Sequence, residues 1–326
     1  MTVRVPEYFI SFRCIADKCR DSCCIGWEID VDPTSRQKYE ALECDIGREI
    51  AEKTSHGCFP LQENGRCAFL DERGLCRIIS SLSDEYLCDI CREHPRYYGV
   101  GDGVYEGGLG LGCEEAARMI LALNEKPTLV EIDRSISYSD EDDFADVSEH
   151  ARELLYDKIF TEDIHTLTGS FLTCAGIFDD VAFEVSTTGK RTSLPTSLPS
   201  ALDEQGAERI YESILELLSE CEALTGGWYE LVDKTRDISV ESALDSLDSK
   251  RGLLYYFTHR YVREGVEDMS LGQRIAFALG SSLVISAMAL VTNREDPDVF
   301  AAVDYSKNVE YSTDNVDYIL ENIEFL

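Results

Sequence analysis

Ile275-Ala-Phe-Ala-Leu-Gly-Ser-Ser-Leu-Val-Ile-Ser-Ala-Met-Ala-Leu-Val291 is the most membrane-like run in this chain of 326 residues. Its reading decides the class of fold. A membrane-spanning helix wants about twenty consecutive apolar residues. This run has seventeen and carries Gly280, Ser281, Ser282 and Ser286. It therefore reads as the core of a buried helix over Leu271–Val291, and no membrane span is expected.

The neighbouring segments carry the same period. Ala207–Thr225 places Ile210, Ile214, Leu217 and Leu218 on one helical face, with Gly226-Gly227 as a stop. Val240–Glu264 reads as one more helix, and so do Phe144–Phe160 and Asp314–Phe325. Nearer the N-terminus, Pro33 suits the start of a helix through Ser35–Thr54. Cys113–Leu123 has Ala116, Ala117, Ile120 and Leu123 at helical spacing. Strand signals are few and short: Trp27–Val31 and Val181–Ser186. The expected fold is mainly α. A loop-rich, Cys-rich metal-binding module over 1–126 precedes a mostly helical domain over 127–326. Pro127–Asp143 reads as a connector that ends in the acidic run Asp140–Asp143, and Thr187–Leu202 as a second loop.

The module is defined by thiols. Eleven of the 13 cysteines fall within the first 113 residues. The N-terminus lacks the apolar stretch of a signal peptide, so a cytoplasmic protein is expected. Disulfides are rare there, and dense cysteines bind metal or do redox chemistry instead. In the first cluster, Cys14, Cys19, Cys23 and Cys24, a helix over Lys18–Cys24 would set Cys19 and Cys23 on one face. Cys24 would be turned toward a second centre. A turn at Asp71–Gly74 would bring Cys67 and Cys76 together. Cys88-Asp-Ile-Cys91 is a C-x-x-C pair, and Cys113 opens a helix whose dipole favours a thiolate. Soft thiolates at these spacings suit zinc or iron–sulfur clusters, and spacing does not choose between them. Nine thiolates around one ion is too many, so two centres, or one cluster with spare thiols, is the better reading. Cys44, Cys58, Cys174 and Cys221 read as structural thiols.

Charge excludes other roles. Thirty basic residues face 63 acidic ones, a net charge of −33. Nucleic acid and anionic membranes are disfavoured as partners, because phosphate binding needs clustered Lys and Arg. Most of the acidity lies beyond residue 126. There about 40 acidic residues face about 15 basic ones, against about 23 and 15 before it.

The motifs also carry a resemblance. Phe12-Arg-Cys14-x4-Cys19-x3-Cys23-Cys24-Ile-Gly26-Trp27, followed by Ile29-Asp30-Val31-Asp32, resembles the opening of the flagellin lysine N-methylase family. Cys67-Ala-Phe69-Leu70, Gly74-Leu75-Cys76, Leu87-Cys88-Asp-Ile-Cys91-Arg92, His94-Pro95-Arg96 and Gly110–Arg118 follow in the family order. The match covers roughly residues 8–122 and is also similar to the broader group of zinc- or iron-chelating Cys-rich proteins. His94-Pro95-Arg96 stands where the family has Tyr-Pro-Arg, and Gly112-Cys113-Glu114-Glu115-Ala116 where it has Ser-Cys-Pro-Glu-Ala. The resemblance implies methyl transfer to lysine side chains of flagellin. It implies S-adenosylmethionine as donor and an iron–sulfur cluster as cofactor, with zinc as the alternative. It carries over Cys14, Cys19, Cys23, Cys24, Cys67, Cys76, Cys91 and Cys113 as metal ligands, with Cys88 as a ninth candidate.

The residues themselves add less about catalysis. Glu106-Gly-Gly108-Leu-Gly110-Leu-Gly112 spells an acidic-x-G-x-G-x-G loop. It lacks the strand before it and the βαβ pattern around it that a nucleotide loop requires. A donor site, on this reading, is not of the dinucleotide-binding type. A base for the lysine amine is sought among Tyr97, Tyr98, Glu106 and Glu114. Two further readings stay open: a non-catalytic metal-binding module that binds a partner, and a redox or metal-handling protein.

Overall fold

The computed structural model describes residues 2–26, 29–101, 104–134, 145–189, 193–199, 204–263, 265–266 and 268–325. Strand β1 (Thr2–Pro6) and helix α1 (Glu7–Ser11) open the chain. Next come β2 (Ile29–Asp30), α2 (Pro33–Glu40), α3 (Asp45–Lys53), β3 (Cys58–Phe59), α4 (Arg77–Ser81) and α5 (Asp89–Glu93). Strands β4 (Arg96–Gly101) and β5 (Val104–Leu109) lead into α6 (Glu114–Leu121) and β6 (Leu129–Asp133). The rest is helical. It runs through α7 (Ala145–Ile159), α8 (Ile164–Thr188), α9 (Glu204–Glu220) and α10 (Trp228–Thr235). It ends with α11 (Val240–Asp248), α12 (Gly252–Tyr261), α13 (Leu271–Val291), α14 (Pro297–Asn308) and α15 (Thr313–Asn322). The fold is mainly α. Asp140–Asp143 and Trp27 lie outside the described residues.

Helix α13 is the axis of the larger core. Helices α8 to α12, α14 and α15 all pack against it. Every residue from Ile275 to Ala289 is buried. Its serines are satisfied inside the protein: Ser282 and Ser286 donate to carbonyls one turn back, at 2.7 and 2.8 Å, and Ser281 meets the Tyr305 hydroxyl at 2.8 Å. Gly280 lets α9 approach, because a Cβ there would press on Ile210 and Ile214. Among the described residues, α13 is the one helix long and apolar enough to cross a membrane, and helices cover it instead.

A four-stranded sheet flanks this helical body in the order β4-β5-β1-β6. β1 runs parallel to β5, with Val3 opposite Tyr105, and antiparallel to β6. A second, smaller core holds Ile29, Tyr39, Ile50, Phe59, Phe69, Ile78, Cys67 and Cys88. Its Phe59 and Phe69 rings meet edge-on at 5.4 Å.

Several sequence expectations are corrected here. Ser35–Thr54 is two helices, not one. Asp32 caps α2 by accepting from Ser35 N at 2.8 Å, the chain turns at 41–44, and Cys44 begins α3. Val181–Ser186 is no strand but the end of α8. Phe178, Ala182 and Val185 share its buried face, and Gly189 closes it at φ 65°. Helix α9 stops at Glu220, and Gly227, at φ 82°, caps the start of α10 instead. Val240–Glu264 is broken between α11 and α12. The break seats Gly252 against the backbone of α6, where a Cβ would overlap the Ile120 carbonyl oxygen. Gly252→Ala is therefore expected to cost about 1–3 kcal/mol by overpacking, read as a lower urea midpoint.

Candidate metal centre

The first cysteines are held by a loop, not by a helix. A single 3₁₀ turn, Ala16–Lys18, ends at Cys19, which is extended. Cys19 and Cys23 therefore do not share a helical face, in contrast to the sequence expectation. Each is instead brought within electrostatic reach of Cys113. Two other local expectations are met by the backbone, the turn before Cys76 and the helix start at Cys113. Asp71 N bonds to Leu75 O at 2.9 Å and Gly74 N to Asp71 O at 3.0 Å, with Gly74 at φ 79°. This turn sets Cys76 against Leu70 in a bridge beside Cys67. Cys113 stands at the N-cap of α6.

Three thiols sit at helix starts and accept backbone N–H groups. Cys76 faces Ile78 and Ile79, Cys88 faces Ile90 and Cys91, and Cys113 faces Glu115 and Ala116. Such contacts favour the thiolate, but burial outweighs them and raises Cys76 and Cys113, whereas the Cys91 hydrogen bond brings Cys88 down. The two cysteine-bearing segments are tied directly, since Cys67 N donates to Cys24 O at 2.8 Å. Asp32 adds a second tie. Its other carboxylate oxygen accepts from Asp89 N at 2.9 Å, at the start of α5.

The nine candidate thiols gather in two adjoining sets. Cys113 interacts electrostatically with Cys14, Cys19 and Cys23, and Cys14 with Cys23. Cys24, Cys67, Cys76, Cys88 and Cys91 form the second set. The Cys23–Cys24 hydrogen bond joins them. Among the described residues, no three His, Cys, Asp or Glu side chains close around one point as metal ligands do. All thirteen cysteines are free thiols. Cys174 and Cys221 are buried within the helical body, Cys44 is exposed, and Cys58 lies on β3.

The sets carry an electrostatic cost. Burial pushes Cys19 and Cys67 up to about 11, with smaller additions from Glu114 and Cys113 at Cys19 and from Cys24, Cys76 and Cys88 at Cys67. The hydrogen bond to Cys88, burial and the charges of Cys88, Cys24 and Cys23 push Cys91 far up. Cys24 moves the other way. The Cys23 hydrogen bond, with smaller help from Ser22 and Arg66, brings it down to about 7 against the push of burial. Arg66 escaped the sequence reading, although it directly precedes Cys67. Arg92 turns to Asp89 and Leu87 O, Arg96 lies over Phe9 and Phe12, and Arg118 bonds to Glu114. His94 is packed beside Tyr311, and burial brings it down to about 4.

The glycine-rich run is a strand. Glu106–Leu109 lies between β4 and β1, and a Cβ on Gly107, Gly108 or Gly112 would overlap Tyr98, Tyr97 or Tyr311. These glycines seat tyrosines. Glu106 is 1% exposed and bonds Arg152 at 2.6 Å and Arg4 at 2.9 Å. Burial raises its carboxyl, but Arg152, His259 and Arg4 outweigh this and hold it at about 2. Glu114 is likewise held down against burial by Arg20 and Arg118. Neither carboxylate is suited to take a proton at neutral pH. Burial pushes Tyr97 and Tyr98 up to about 12. A cleft of about 820 Å³ between the start of α8, α9 and α11 involves none of these residues.

The chain is similar in sequence to known proteins. The chain is 34% identical over 142 residues to the Lysine-N-methylases of Salmonella typhimurium (strain LT2) and Salmonella choleraesuis. It is 33% identical over 142 residues to the Flagellar biosynthetic protein FliU of Salmonella muenchen, covering 84% of that protein. The chain belongs to the flagellin lysine N-methylase family. The alignments take in 39% of this chain and only 35% of each Lysine-N-methylase. No family model and no solved structure matches the chain.

Proposed function

We propose that this member of the flagellin lysine N-methylase family is a protein-lysine N-methyltransferase. It takes the methyl group from S-adenosylmethionine, acts on flagellin, and holds an iron–sulfur cluster, or zinc, on its thiols. The carrying observation is the similarity to proteins named Lysine-N-methylase.

The donor set supports the metal by its chemistry. Nine free thiols adjoin, three of them capped by backbone N–H groups. Burial, hydrogen bonds between thiols and mutual repulsion raise most of the nine, and a bound cation opposes this. Cys14, Cys19, Cys23 and Cys113 would hold one site, and Cys24, Cys67, Cys76, Cys88 and Cys91 would supply a second. A bound centre supplies a fixed positive charge and a rigid cross-link between the loops. Methyl transfer itself requires a neutral lysine amine presented in line with the donor. Desolvation favours the neutral amine, and the Tyr98 hydroxyl, which donates to Glu93 at 3.2 Å, can accept a hydrogen bond from it without ionising, whereas the Tyr97 hydroxyl is buried.

The test is mass spectrometry of flagellin after incubation with S-adenosylmethionine and anaerobically prepared protein. Added methyl mass on lysines is expected. Its absence with a metal-loaded protein would turn the assignment toward a non-catalytic metal-binding module.

A further inference from the structure

Between Cys19 and Cys23 the chain places two opposite charges, Arg20 and Asp21, and both reach across the molecule. Arg20 bonds Glu114 three times: through its backbone N at 2.7 Å, Nε at 3.1 Å and Nη2 at 2.9 Å. Glu114 is 1% exposed. The same guanidinium reaches Asp296 at 2.5 Å and Glu295 at 3.2 Å, and lies 4.9 Å from the centre of the Phe300 ring. Asp21 is bonded to Lys307 and meets Arg294 at 3.4 Å. Arg294 in turn bonds Asp304 at 3.0 Å and stacks over Phe300. Two consecutive side chains thus fasten the loop to α6, to the α13–α14 connection and to α14, which lies over 270 residues away in sequence.

These bonds need an ordered loop, and no helix or strand orders it. Fixing such a segment is entropically costly, and partly exposed ion pairs return little each. Ligation of Cys19 and Cys23, on either side of the two charges, would fix the loop in advance.

We propose that residues 19–23 are a latch through which metal on the thiols controls the attachment of the α13–α14 connection, residues 292–296; α14 itself is held by its core residues Val299, Ala301, Ala302 and Val303. The inference rests on the metal reading above. With metal bound, Arg20 and Asp21 hold Arg294, Glu295 and Asp296; without it, they let go. Linkage makes the effect reciprocal, so the latch also tightens metal binding by the same factor.

Limited trypsinolysis of the full chain tests this, as isolated under anaerobic conditions and after chelation. Cleavage after Arg294 is expected to speed up about tenfold on chelation. In the double variant R20Q/D21N cleavage there should start fast and ignore chelation. Its zinc affinity, measured by competition with a chromophoric chelator, should fall by a similar factor. Arg36→Gln, which removes an exposed pair with Glu40 on α2, should change neither readout. Two results overturn the latch while leaving the metal reading intact. One is a metal-loaded protein whose cleavage after Arg294 is unmoved by chelation. The other is a double variant whose cleavage and zinc affinity match the wild type. A wild-type protein that binds neither iron nor zinc overturns both.

Discussion

Serine in place of Cys91 is expected to reduce bound metal at least tenfold and to remove about 3–4 kcal/mol of stability. The energy is what a ligand present at roughly a hundred to a thousand times its Kd contributes to a folded state that alone binds it. Cys91 is the choice because it stands at the junction of the two thiol sets. It shares a hydrogen bond with Cys88 and feels the charges of both Cys24 and Cys23. Serine keeps the shape and the hydrogen bond but cannot act as a soft ligand. Cys174→Ser is the control, since that thiol is raised by burial alone, inside the helical body. Iron, acid-labile sulfide and zinc in the purified variants, followed by urea titration, give the answer. A C91S protein with wild-type metal content would remove the second site from consideration.

What was legible in the sequence had a local cause. The apolar run ending at Val291 showed its helix because burial on all sides leaves no polar face to interrupt it. The turn before Cys76 was visible because Asp71 and Gly74 are the residues such a turn demands. The start of α6 at Cys113 was visible for the same kind of reason. The failures had non-local causes. β1 and β5 pair across a separation of about a hundred residues, and β5 carries glycines that disguise it as a loop. Val181–Ser186 has β-branched residues, yet the packing of Phe178, Ala182 and Val185 holds it in α8. The latch was illegible too. Nothing near Arg20 announces Asp296, and Glu114 looked like a candidate base until its partners were in view.

Glu106→Gln is expected to cost about 3–5 kcal/mol, the penalty for leaving a buried cation without its partner. Arg152 is 3% exposed and bonds Glu106, itself 1% exposed, at 2.6 Å, so burial shields the pair from bulk solvent. A simple hydrogen-bond loss would cost only about 1 kcal/mol, so magnitude separates the two accounts. The pH dependence gives a second handle. The Glu106 carboxyl is held at about 2, below its ordinary value of 4.5, so its contribution is complete above 4.5 and fades as pH falls toward 2. His259 adds a slope at higher pH. Burial drives it down to about 4 from 6.5, although Glu106 pulls it upward. Its Nε2–H donates to Gly107 O at 3.2 Å while Tyr156 donates to Nδ1 at 3.1 Å, so the folded state wants it neutral. Unfolding therefore takes up a proton between pH 6.5 and 4, and stability should fall there by about 1.4 kcal/mol per pH unit for this group. Below 4.5 the penalty of E106Q should shrink, because unfolding the wild type then takes up a proton at Glu106 while the folded carboxylate stays charged. A penalty that stays constant down to pH 2 would mean that shape, not charge, is what Glu106 contributes. In that case the double variant E106Q/R152M should be no more stable than E106Q alone. On the charge account, removing the stranded guanidinium restores much of the loss.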